Sequence, residues 1–168
     1  KKTQTTNKRF FDIISLYKNI QACPYEMASH YYSPFSSKPY ALFFDSSDNN
    51  HPLGRHSFIC YDPIETICFR NGSLYHNEKI ITAQNPFDFL QHRLSHYSIC
   101  EIEDSETDDI PFQGGAAGYF SYDLGRTLED IPAMAIDDIQ APDMMIGIYT
   151  KIIAFDHIKK KSWLITLS

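Results

Sequence analysis

The sequence predicts an α+β domain, mostly antiparallel β-sheets stacked like a sandwich with a few flanking helices. Three observations lead there. Short apolar runs, more strand-like than helical in length, succeed one another along most of the 168-residue chain. Turn residues separate them, and one separator is Asn71-Gly72, a strong hairpin signal because both positions tolerate positive φ. Stretches of helical periodicity are few, so strands neighbour strands and an alternating parallel sheet is disfavoured. The expected count is about eight strands to three helices.

Taken in order, Phe10–Tyr17 is apolar enough for a first strand. Pro24 opens a short helix through Tyr32, since a proline's missing N–H costs nothing in a first turn. Tyr40–Asp45 is a compact strand that ends in the polar tract Ser46–Asn50. His56–Tyr61 follows and closes at Asp62-Pro63. Glu65–Arg70 then leads through Asn71-Gly72 into Ser73–Tyr75 and Lys79–Thr82, a meander. Asn85-Pro86 reads as an N-cap and first-turn proline for a helix reaching about His96, whose Phe87, Leu90 and Leu94 share one face. Ala116–Ser121 is a strand entered through Gly114-Gly115, and Leu124–Asp130 is a helical turn. Met144–Phe155 and Ser162–Leu167 are two long final strands, joined by the basic turn Lys159–Lys161.

Composition narrows the function classes. With 43% hydrophobic and 21% charged residues this is a globular composition, and a chain of 168 residues buries about 70% of its unfolded surface. No apolar run nears the roughly 20 residues of a membrane span, and Lys1–Arg9 lacks the apolar stretch of a secretory signal. A cytoplasmic protein, or a trimmed piece of one, is expected. Six of the 21 acidic residues sit between Glu101 and Asp109, and the other fifteen balance the 15 lysines and arginines. The net charge of −6 therefore belongs to one segment, read as a solvated connector. A cation site is the sharper alternative, but the spacing and turn glycine of a metal loop are missing. No basic stripe points to nucleic acid. Cys23, Cys60, Cys68 and Cys100 form no C-x-x-C pair and have no histidine at zinc-finger spacing, so reduced thiols are expected, with no metal.

Pro111–Phe120, with Gly114, Gly115 and Gly118, invites a phosphate-loop reading. That reading fails, because Tyr119-Phe120 stand where a lysine and a hydroxyl residue would reach phosphates and magnesium. Close approach of backbones is the better account of the glycines. In the following Tyr122–Glu129, charges at Asp123, Arg126 and Glu129 recur every third residue. They are read as a structural ion ladder rather than a catalytic acid–base set.

As a unit, P-F-Q-G-G-A-x-G-x-F-x-Y-D-L-G-R resembles the middle of the N-terminal domain of chorismate-aminating enzymes, the family of aminodeoxychorismate synthase component I and, in a looser version, anthranilate synthase component I. Pro142–Tyr149 and Asp156-His157 resemble the family's P-D-M-x-x-G-x-Y and D-H. Leu42–Ser46, His51-Pro52, Arg55 and Asp62-Pro63 follow its first strand pair. The likeness runs from about Pro24 to Leu167. It implies a chain that is the N-terminal domain of a larger enzyme, whose C-terminal domain binds chorismate with magnesium and carries the chemistry. Ammonia would come from a glutamine amidotransferase subunit, and the product would be 4-amino-4-deoxychorismate for folate. The family's P-I-K-G-T motif is absent, so no catalytic residue and no activity are expected of this chain alone.

The resemblance also implies a tryptophan pocket, carried over to Asp45, Ser46, Leu53, Gly54, Arg55 and His56. Ser46 could hydrogen-bond a zwitterion, N–H groups near Gly54 could face a carboxylate, and Asp45 could pair with an ammonium. Asp45 stands where relatives carry Glu or His, and Leu53 where some are aromatic. Competing readings are an anthranilate synthase domain, a free-standing amino-acid-binding module, and a domain that docks the amidotransferase.

Overall fold

A computed structural model describes residues 13–48, 51–82, 85–100, 107–130, 132 and 139–168. The acidic run at 101–106, the tail of the polar tract at 49–50 and the start of the expected first strand at 10–12 lie outside the described residues. The α+β expectation holds. Two mostly antiparallel sheets are flanked by two short α-helices and three 3₁₀ turns.

The six-stranded sheet has the order β2-β3-β10-β11-β1-β7, from β1 (Ile14–Cys23), β2 (Leu42–Phe44), β3 (His56–Cys60), β7 (Tyr97–Cys100), β10 (Lys151–Asp156) and β11 (Lys161–Leu167). The five-stranded sheet has the order β6-β5-β4-β9-β8, from β4 (Glu65–Arg70), β5 (Ser73–His76), β6 (Lys79–Ile81), β8 (Gly115–Phe120) and β9 (Met144–Tyr149). Strand β1 pairs antiparallel with β11 over Lys18–Cys23 and parallel with β7 over Ile14–Tyr17, so the strand lies further along the chain than its apolar start suggested. Asn71 and Gly72 both take positive φ, 50° and 70°, as the β4–β5 hairpin requires.

The expected single strand Met144–Phe155 is two strands. Its first half, β9, lies between β4 and β8, and its second half, β10, lies between β3 and β11. The break falls at Thr150, whose carbonyl accepts from the Leu167 N–H at 2.8 Å. Nearly every residue of the run is buried, and a continuous apolar pattern cannot reveal where a strand changes sheets.

Helix α1 (Ala28–Tyr32) covers the outer face of the six-stranded sheet, where Ile59, Ile153 and Phe155 meet Tyr31 and Tyr32. Helix α2 (Pro86–Leu94) begins as predicted, with the Asn85 side chain accepting from the N–H groups of Phe87 and Asp88. Its Phe87, Leu90 and Leu94 pack on Ile67, Leu74, Met144 and Ile146, and Phe89 joins them. At the end of α2, Arg93 donates from Nε and Nη2 to buried Glu65, at 2.7 and 2.6 Å. Glu65 also accepts from Tyr97 and pairs with His76 at 2.7 Å. Burial alone would raise the Glu65 pKa, but these hydrogen bonds outweigh it and bring it to about 2.

Gly118 explains the glycine-rich segment best. Its φ is 155°, and a Cβ there would fall inside contact distance of the Met145 carbonyl and the Ile146 backbone on β9. The close approach read from the sequence is between two paired main chains, with Gly118 opposite Ile146. Burial pushes the Cys60 thiol up to about 12, so it is an inert core group, while Cys23, Cys68 and Cys100 are half-buried free thiols.

Two outcomes follow. Gly118→Ala lowers unfolding free energy by about 2–4 kcal/mol in denaturant titrations, because neither backbone can yield. For Glu65, whose pKa is depressed from 4.5 to about 2, stability is whole above the upper value and is lost as pH falls through the lower. Acid titration of folding therefore shows a loss of roughly 2–3 kcal/mol in that window, which Glu65→Gln flattens.

Candidate functional site

The two sheets share a cleft of about 720 Å³. The six-stranded sheet supplies Phe44, Asp45, Ser46, His56 and Phe58, and the other sheet supplies Ala116, Ala117, Gly118, Phe120 and Ile146. Leu90 of α2 and Phe112 of the loop before β8 close it. Strand alternation accounts for part of this wall. His56 and Phe58 share one face of β3, while Ser57 and Ile59 point the other way and are fully buried. Opposite them, the small side chains of Ala116–Gly118 leave the space that a larger residue would fill.

Of the six residues expected to form a ligand site, Asp45, Ser46 and His56 line the cleft. Leu53, Gly54 and Arg55 do not. Leu53 is 90% exposed, and the N–H groups of Leu53 and Gly54 are both taken up by His51 within the 3₁₀ turn Pro52–Gly54. Ser46 spends its hydroxyl proton on the His56 carbonyl at 2.6 Å, which ties the end of β2 to the start of β3.

Arg55 has a different task. Its Nε and Nη2 donate to buried Asp156 at 3.0 and 2.6 Å, and Nη2 reaches Asp109 at 2.6 Å. Lys159 holds the other Asp109 oxygen at 3.0 Å. Burial would raise the Asp156 pKa, yet Arg55 and the N–H groups of Ile158 and Lys159 bring it down. Hydrogen bonds from Arg55 and Lys159 hold Asp109 well below the ordinary carboxylate range. Asp109 is thus a tethered member of a segment that charge alone marks as a solvated connector. The tether carries the loop that follows, in which Ile110 packs on Trp163 and Phe112 meets Phe58 edge-on. Gln113 fastens the same loop, donating to the carbonyls of Thr107 and Ile110 and accepting from Lys18.

His56 lies 3.8 Å from Asp156 through Nε2, too far for a hydrogen bond. Burial lowers its pKa, so the imidazole is neutral at physiological pH. Asp45 is the one carboxylate on the cleft wall and has no Lys or Arg partner among the described residues.

Below Asp45 runs a buried chain that sequence reading missed. Its Oδ1 accepts from Ser57 Oγ at 3.1 Å, Ser57 lies 2.7 Å from His157 Nε2, and His157 Nδ1 lies 2.9 Å from the Tyr25 hydroxyl. This is not a nucleophilic triad, because the carboxylate takes the serine proton instead of orienting the imidazole, and Ser57 is sealed from solvent. Asp156-His157 was the available signal, as a motif without an assigned role.

The Tyr122–Glu129 segment stays off the cleft lining. Tyr122 is exposed at the start of a 3₁₀ turn, Tyr122–Thr127, and Arg126 pairs with Asp123 at 2.9 Å. The expected ladder has one rung, since the turn ends before Glu129 and leaves it out. Among the described residues no three His, Cys, Asp or Glu side chains gather to hold a metal ion, and no helix is long and apolar enough to cross a membrane.

Comparison with known proteins defines the class to which this fold belongs. It is 34% identical over 139 residues to aminodeoxychorismate synthase component 1 of Klebsiella aerogenes, covering 81% of this chain and 30% of that protein. The Salmonella typhimurium protein of the same name is 36% identical over 138 residues, covering 80% and 30%. Anthranilate synthase component 1 of Lactococcus lactis is 31% identical over 121 residues, covering 71% and 25%. The crystal structure of anthranilate synthase component I from Streptococcus pneumoniae superposes with a TM-score of 0.54 at 28% identity, covering 73% of this chain and 31% of that one. No protein-family model matches. Over the segment it matches, the chain belongs to the family shared by aminodeoxychorismate synthase component 1 and anthranilate synthase component 1. It spans about 30% of the length of the aminodeoxychorismate relatives.

If Arg55 tethers the cleft loop through Asp109, Arg55→Gln speeds amide exchange across Thr107–Gln113 while β3 and β10 keep their protection. Unchanged exchange in that loop contradicts the tether.

Proposed function

We propose that the chain is the N-terminal domain of an aminodeoxychorismate synthase component I. The whole protein would convert chorismate and ammonia to 4-amino-4-deoxychorismate, with ammonia delivered by a glutamine amidotransferase partner. The observation that carries this reading is the match of about 80% of the chain, at 34–36% identity, to 30% of the length of proteins bearing that name. The designation component 1 implies a second component. The chemistry is assigned to the C-terminal domain, outside this segment, because the cleft lining offers one carboxylate and one half-buried imidazole but no lysine, and no metal-binding cluster forms among the described residues.

The domain's own part is to scaffold that second domain and to hold a small ligand between its sheets. Apolar walls with a single anion suit an aromatic amino acid such as tryptophan, the ligand class that the Asp45–Ser46 position suggests. Anthranilate synthesis is the second reading, supported by the Lactococcus lactis relative and the Streptococcus pneumoniae structure.

Product analysis separates the two. The full polypeptide supplied with chorismate, ammonium and magnesium yields 4-amino-4-deoxychorismate, whereas anthranilate as the main product selects the second reading. The 168-residue chain alone gives no turnover, and steady turnover by it removes the scaffold assignment. Calorimetry of the full polypeptide with millimolar tryptophan gives binding heat, and a silent titration removes the ligand.

A further inference from the structure

We infer that Asn71-Gly72 is a self-modifying site: in the folded protein the Gly72 amide nitrogen closes on the Asn71 side chain, and water opens the resulting ring to aspartate and isoaspartate. The site is the tip of the β4–β5 hairpin and no part of the cleft lining.

Four asparagines fall among the described residues, and three of them are protected. Asn85 precedes Pro86, which has no N–H to give up, and its side chain caps α2. Asn19 lies inside β1, opposite Thr166 of β11, with the β-branched Ile20 after it. Asn77 is the nearest counterpart of Asn71. Asn77 and Glu78 turn β5 into β6 with φ of 47° and 65°, close to the 50° and 70° of Asn71 and Gly72. Yet the Asn77 side-chain oxygen accepts from the Thr66 N–H at 2.9 Å, and the Asn77 N–H donates to the Thr66 carbonyl. Glu78 also sets a side chain beside the nitrogen that would have to attack.

Asn71 has none of these restraints. It and Gly72 are exposed, and the Asn71 side chain makes no hydrogen bond among the described residues. The ladder closes at the Arg70–Ser73 pair, so the Gly72 N–H lies in the loop, outside the ladder. A Cβ on Gly72 would meet nothing within 4 Å, so nitrogen and side chain can rotate toward each other without moving a neighbour.

In the first step the Gly72 nitrogen bonds to Asn71 Cγ, the Cγ–Nδ2 bond breaks, and the Gly72 proton leaves with Nδ2 as ammonia. Water then adds to one of the two ring carbonyls. Opening at Cγ leaves aspartate on the original main chain. Opening at the former backbone carbonyl leaves isoaspartate, whose main chain runs through Cβ and Cγ. Attack needs the deprotonated nitrogen, so the reaction quickens as pH rises. The two products part at the turn. Asp-Gly is itself a favoured two-residue hairpin loop. Isoaspartate lengthens a loop whose two residues fix the pairing of Arg70 with Ser73 and Phe69 with Leu74.

The full polypeptide, aged in its folded state at mildly alkaline pH and mapped by peptide mass spectrometry, tests this. Asn71 is expected to convert at least about tenfold faster than Asn77, whose side chain must first leave the Thr66 N–H. An isoaspartyl methyl-transfer assay is expected to label the peptide that carries position 71. The label is lost in Asn71→Gln, whose longer side chain closes a larger, slower-forming ring. Amides of β4 and β5 beside the turn are expected to exchange about tenfold faster in the isoaspartyl fraction than in fresh protein, while Asn71→Asp keeps their protection. Equal conversion of Asn71 and Asn77, or conversion of Asn71 only after urea unfolds the chain, overturns the site. The same exchange in the isoaspartyl fraction and in Asn71→Asp overturns the divergence of the two products.

Discussion

Tyr149 and Lys151 are two residues apart in the chain yet pair within different sheets, so the bend at Thr150 joins both layers through one covalent link. The rest of the architecture hangs on it. Strand β9 pairs with β8 and sets the small-residue wall of the cleft, while β10 pairs with β3 and sets the opposite wall. Gly118 fixes how closely β8 lies on β9, because no side chain fits against the Met145 carbonyl. The volume between the sheets is therefore decided by main-chain geometry, and the residues lining it inherit their positions.

Polar groups buried in this frame cluster where loops join strands. Glu65 binds the end of α2 to the five-stranded sheet, and Asp156 binds Arg55 and the turn after β10. Burying a carboxylate is costly unless hydrogen bonds satisfy it, and each of these has several. The consequence is specificity of placement more than net stability. Asp45 differs from both: it accepts from Ser57 but meets no cation, which leaves its charge available to something outside the chain.

The sheets were legible in the sequence because short apolar runs and turn residues carry local information. Asn71-Gly72, the Asn85 cap and the glycines at 114–118 each have a mechanism that acts within a few residues. Strand β7 and the break at Thr150 were not legible, since both depend on pairing with strands far away in the chain. The site divided the same way. Asp45, Ser46 and His56, carried over from a family resemblance, line the cleft, whereas Phe58, Phe112 and Ile146 reach it only through register and loop anchoring. Arg55 was carried over as a ligand contact by the same resemblance. Its actual partners, Asp109 and Asp156, lie 54 and 101 residues further on.

If the cleft between the two sheets receives a ligand, contacts from that bound ligand probe it most directly. In the full polypeptide with selectively methyl-labelled alanine and isoleucine, intermolecular Overhauser effects from the indole protons of bound ligand should reach the methyl groups of Ala116, Ala117 and Ile146. Effects confined to methyl groups elsewhere in the protein would show that the ligand sits in another place and that this space between the sheets is only a packing gap.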